Sequence, residues 1–114
     1  MASALRSNEV VCTMIDSAPA WLAVDLVIPF LGGKVQTTTP AARLAYVTGA
    51  AVVPVFVLWP ETERCYIVRF QEQMAMSDGF AGDVQRLFAT LEQVARECPE
   101  EYFWIFNRGW AGAK

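Results

Sequence analysis

The chain carries no charged residue from Leu44 to Pro60, and this run constrains the fold more than any other feature of the sequence. A membrane-crossing helix needs about 20 consecutive apolar residues. The run is shorter than that and is interrupted by Thr48, Gly49 and Pro54. Its periodicity also changes at Gly49. Before that point Ala41, Leu44, Ala45 and Thr48 share one helical face. After it, Ala51 to Trp59 (AVVPVFVLW) is almost wholly apolar, as expected of a strand covered on both faces. The reading is therefore a helix, a glycine stop and a buried strand. Thr37-Thr38-Thr39-Pro40 marks the helix start, with Thr39 as N-cap and Pro40 at the first helical position, where its missing N–H costs nothing.

The remaining elements follow from the same rules. Residues 1–8 are polar enough to be a frayed helix end. Glu9 to Ile15 (EVVCTMI) is β-branched and apolar and predicts a buried strand ending at Asp16. Val24 to Phe30 predicts a second strand, with Pro29 at an edge or turn and Gly32 and Gly33 breaking it. Cys65 to Gln71 lies close enough to Ala51–Trp59 to pair with it as an antiparallel hairpin. A loop from Gln73 to Gly82 precedes a long helix N-capped by Asp83. Val84, Leu87, Phe88, Leu91, Val94, Ala95 and Cys98 are spaced i, i+3, i+4 along that helix, and Pro99 ends it. Glu100 to Phe106 could form one more short helix. The result is one α/β domain over 1–114, with a mostly buried mixed sheet flanked by helices.

Composition excludes several kinds of chemistry. The sequence has no histidine, so it contains no Ser-His-Asp or Cys-His site, no His-ligated metal and no His general base. Cys12, Cys65 and Cys98 are odd in number and far apart, which supports neither a zinc site nor a disulfide framework. Buried reduced thiols are the expectation, and they fit a cytosolic compartment. Arg6 and Glu9 interrupt any signal-peptide core. A net charge of −3 with no basic stripe argues against nucleic acid. No metal or other cofactor is expected. Hydrophobic residues make up 54% of the chain, a surplus that calls for a lipid-facing surface or an interface with further protein.

Three places could bind a ligand. At the helix start, the Thr37–Thr39 hydroxyls, exposed N–H groups and Arg43 one turn in could hold a phosphate or carboxylate. The same spacing also describes a capped helix with a solvated or paired arginine. Asp16 ends a strand, at the edge where open α/β sheets bind ligands, and it is equally a turn or helix cap. Tyr102, Phe103, Trp104, Phe106, Arg108 and Trp110 could form a membrane-interface belt, or simply pack a terminal helix. The carboxylates of Glu61, Glu63, Glu97, Glu100 and Glu101 read as solvated surface.

The run Phe30-Leu31-Gly32, Thr38, Ala42-Arg43-Leu44-Ala45, Thr48-Gly49-Ala50 and Val52-Val53-Pro54-Val55-Phe56 resembles the bacterial lipid A biosynthesis acyltransferases. These are the lauroyl and myristoyl transferases of the lysophospholipid acyltransferase superfamily. Val10-Val11…Ile15-Asp16 is similar to the family's strand ending in an Asp-Gln pair. Pro99-Glu100-Glu101-Tyr102-Phe103-Trp104 is similar to its closing segment. The similarity runs from about residue 9 to 108 and is most specific from Arg43 to Phe56. Two departures stand out. Ser17 replaces the glutamine, and Phe106-Asn107 stand where the family often has His and Arg, although Arg108 remains.

The resemblance implies a partial acyltransferase-like fold and a membrane-associated protein. Such a protein moves an acyl chain from acyl carrier protein or acyl-CoA to a lipid acceptor. The family's base is the His of an H-x4-D/E motif, which lies upstream of the matched region. By the resemblance, Asp16, Thr38, Arg43 and Arg108 would bind substrate, and Pro54 would lie in the strand beneath the cleft. The expectation is a C-terminal part or remnant that is inactive alone. It would be cytoplasmic, or peripheral on the cytoplasmic face of the inner membrane, with a lipid surface, a second copy or a missing catalytic half as partner. The alternatives are the partner half of a split acyltransferase and a small lipid- or protein-binding module.

Overall fold

The structure, a computed structural model, describes residues 1–15, 26–37, 40–77 and 79–101. In chain order these form α1 (Ala2–Arg6), β1 (Leu26–Phe30), β2 (Gly33–Thr37), α2 (Pro40–Thr48), β3 (Val55–Leu58), β4 (Ile67–Phe70), α3 (Gly79–Glu97) and a 3-10 turn at Pro99–Glu101. The fold is α/β. Among the described residues its strands form two two-stranded antiparallel sheets, β1–β2 and β3–β4, rather than the mostly buried mixed sheet that the sequence predicts.

The β1–β2 hairpin was legible only in its first half, because the two glycines read as a break. They are instead part of the connection. Phe30 pairs with Gly33, leaving Leu31 and Gly32 as a two-residue loop. Both have positive φ, at 50° and 80°, the conformation of the hairpin turn whose twist matches its strands. Glycine adopts it without strain, whereas leucine does so at a cost. The Leu31 N–H donates to the Glu92 carboxylate on α3, which fixes this unusual turn against the helix. Pro29, opposite Lys34, lies at an exposed position of β1, with no further strand paired to β1 among the described residues, so its missing donor is tolerated.

Helix α2 begins at Pro40, as its sequence predicts, and ends where Gly49 turns to φ 70°. The Gly49 N–H closes the last turn onto the Ala45 carbonyl at 2.7 Å. Its inward face is Ala42 and Ala45, both buried. These small side chains let α2 approach closely. Thr37 is the last residue of β2 rather than part of the helix start, and it is buried. The expected N-cap, Thr39, lies outside the described residues.

Helix α3 starts at Gly79, four residues before the expected cap. Its i, i+3, i+4 stripe of Val84, Leu87, Phe88, Leu91, Val94 and Ala95 is buried as the spacing predicts. The core joins Val84, Phe88 and Leu91 of this stripe to Ile28, Phe30 and Val35 of the first hairpin and to Ala42 of α2. Phe30 meets Phe88 edge to face, with ring centroids 5.4 Å apart and planes at 87°. That geometry places the positive ring edge on the negative face.

Two strand expectations are corrected. Glu9 to Met14 has no regular structure, and Val10 and Met14 are 89% and 72% exposed. A strand needs a neighbour for its N–H and C=O groups, and none of the described residues supplies one here. Ala51–Trp59 contracts to β3, whose burial alternates instead of being complete. Pro54 cannot donate to a ladder, so pairing before β3 is irregular. The Pro54 and Val52 carbonyls accept from Gln71 and Met74, at 3.0 and 2.8 Å. The expected hairpin with Cys65–Gln71 does form, as β4 paired antiparallel to β3 with Val57 opposite Val68.

Candidate functional site

Arg43 alone of the four expected substrate-binding residues lies within the described part of the chain. It is exposed on α2, one turn in from Pro40. Asp16, Thr38 and Arg108 fall outside the described residues. Pro54 precedes β3 and is half-buried, beside the strand that the resemblance places under the cleft. The thiol expectation is corrected. Cys12 and Cys65 are exposed, and only Cys98 is partly covered. The first two sit in an irregular segment and a turn, where no packed layer covers them.

The most developed polar arrangement surrounds Asp83, which the sequence suggested as a helix cap. The helix begins a turn earlier, and Asp83 lies inside it, fully buried. The capping function survives in altered form, because its Oδ1 accepts the N–H of Ser77, ahead of the helix, at 3.1 Å. The same oxygen accepts from Arg86 Nη2 at 2.6 Å, and Oδ2 accepts the Tyr46 hydroxyl of α2 at 2.5 Å. Tyr46 Oη in turn accepts the N–H of Gly79 at 3.0 Å, and Arg86 also donates to the Ala75 carbonyl. Three donors thus converge on a carboxylate removed from solvent. A buried charge is tolerable only when it is paired and hydrogen-bonded in this way. With both oxygens engaged, Asp83 acts as a clamp rather than a proton acceptor. Of its partners only Arg86, at i+3, could be read from helical spacing; Tyr46 lies 37 residues upstream and Ser77 six residues upstream on a loop.

Beside the clamp, a shallow cleft of about 330 Å³ opens between the end of α2 and residues 73–76. Ala45, Tyr46, Gly49, Met74 and Met76 line it. This is near the lower end of ligand-pocket size, and its one side-chain hydroxyl already serves Asp83. Among the described residues, no group of Cys, Asp and Glu is placed to hold a metal ion. No described helix is long and apolar enough to cross a membrane.

The geometry therefore offers a cationic side chain on α2, the helix that Tyr46 ties to Asp83 of α3. No match is found among curated proteins. The family model described as bacterial lipid A biosynthesis acyltransferase matches residues 1–110. That match spans the Phe30–Gly32, Ala42–Ala50 and Val52–Phe56 blocks that carried the resemblance, and the chain belongs to the bacterial lipid A biosynthesis acyltransferase family.

Proposed function

We propose that this chain supplies the acceptor-side scaffold for acyl transfer to a lipid A precursor and does not itself abstract the acceptor proton. The observation that carries this reading is the absence of histidine from a chain of this family. General-base activation of a hydroxyl needs a group that accepts a proton near neutral pH, and imidazole is the usual one. Asp83, the one fully buried carboxylate among the described residues, is already committed to three donors. An H-x4-D/E segment from outside these 114 residues would complete the reaction.

In this reading Arg43 meets the phosphate of the lipid acceptor. A guanidinium at the solvent-facing side of α2 presents a forked donor suited to a phosphate's oxygens. Work at the cytoplasmic face of the inner membrane, by peripheral contact, suits a lipid acceptor.

The test is acyl transfer by the purified chain, with acyl carrier protein thioester as donor and lipid A precursor as acceptor. No turnover above background is expected. Adding a polypeptide that carries the H-x4-D/E half should restore transfer, and turnover by the chain alone would overturn the proposal. For Arg43, R43A should weaken binding to vesicles containing phosphatidic acid about tenfold with unchanged circular dichroism. Unchanged binding would remove Arg43 from the site.

A further inference from the structure

The β3–β4 hairpin turns one apolar face to solvent. Val55 is opposite Phe70 and Val57 opposite Val68, and these pairs lie on the same side of the sheet. Trp59 and Tyr66 extend that side beyond the strands, in edge-to-face contact at 4.8 Å. The alternate positions Phe56 and Leu58 turn inward. Tyr66 and Phe70 are both 71% exposed and Trp59 is 42% exposed. With aromatic side chains of about 200 Å² each and three half-exposed valines, the face presents on the order of 600 Å². That is the upper limit for the largest apolar patch on an ordinary monomer.

We infer that this face is an interface between two copies of the chain. Area supports the choice. Two such faces together remove about 1,200 Å², which reaches the range of specific interfaces. Charge supports it as well. None of the six residues is charged, so a two-fold axis through the face brings no like charges together. Beside Trp59, Glu61 and Arg64 of the turn line one shallow hollow with it, so the charges next to the face are of both signs. The sheet itself gains from the contact. A two-stranded sheet is marginal by itself, and packing two face to face at about 10 Å makes a four-stranded sandwich with an apolar middle layer.

Sedimentation of the full chain at tens of micromolar tests this. A dimer is expected, together with a melting temperature that rises with protein concentration, a readout that needs no variant. V57D and V68D place a charge at the centre of the face and should yield monomers with unchanged helix content. A monomeric parent with a concentration-independent melting temperature would overturn the inference. So would a dimer that survives both substitutions, which puts the interface elsewhere. Monomers that float with neutral or anionic vesicles until V57D is introduced would assign the face to lipid and overturn it as well.

Discussion

Tyr46 on α2 donates its hydroxyl to the buried carboxylate of Asp83 on α3 at 2.5 Å, and this bond joins two helices 37 residues apart in sequence. Y46F removes the donor and leaves a buried carboxylate oxygen short of a partner. The expected loss is about 1–3 kcal/mol of stability, the cost of an unsatisfied buried group. D83A should cost about 3 kcal/mol or more, since the N–H of Ser77 and Arg86 lose their acceptor too. Urea unfolding followed by circular dichroism measures both. A Y46F chain as stable as the parent would show that the bond is not holding the helices together.

Leu31 occupies a left-handed turn position at φ 50°. L31G relieves a strain of about 1 kcal/mol, partly offset by the greater freedom of glycine in the unfolded chain. The net change should be small or favourable. E92A removes the acceptor of the Leu31 N–H and should cost about 1 kcal/mol. The backbone donor remains in L31G, so a double-mutant cycle should leave the two effects nearly additive. Strong coupling would mean that the leucine side chain, rather than its N–H, positions Glu92.

Gly49 ends α2 at φ 70°, with nothing within 4 Å of where a Cβ would stand. G49A meets no clash, so its cost isolates the conformational term. About 1–2 kcal/mol of destabilisation is expected. A neutral G49A would mean that the helix can end in another way.

Phe88 is 2% exposed and packs on Phe30. F88A should lose about 3–5 kcal/mol, from transfer and cavity together, which is a large part of the stability of a domain this size. By contrast R69A, which breaks the 3.0 Å pair with Glu97, should change stability by no more than about 1 kcal/mol, because both side chains are about half exposed. Thermal melts of the two variants side by side rank core against surface. The reverse order would contradict the core as described.

How much of this could be read in the sequence depended on how local the cause was. The α3 stripe, the Pro40 start and the Gly49 stop each follow from residues a few positions apart, and each was legible. The β3–β4 pairing was legible because a short polar turn separates two apolar runs. β2 was missed because Gly32-Gly33 reads as a break, and because a turn with leucine at positive φ depends on Glu92, 61 residues on. Glu9 to Ile15 looked like a strand because composition reports what a segment would do beside a neighbour, not whether the neighbour is there. The clamp at Asp83 was mistaken for a simple cap for a related reason. Its residue type was informative, but Tyr46, the partner that ties it to α2, is 37 residues away. Of the candidate substrate site, the Pro40 start put Arg43 one turn into a helix, and it stands there on α2 with its side chain solvent-exposed.

The separation of the two hairpins bears on the order in which the chain acquires structure. β3 and β4 are joined by a short turn and can pair within microseconds, with little loop to close. The contact of α3 with β1 and β2 spans more than half the chain, and such long-range closures come late. The chain therefore displays its Val57–Val68 face before its core has formed. Synthesis at high concentration would favour aggregation through that hairpin, and slow expression at low temperature should raise the soluble yield.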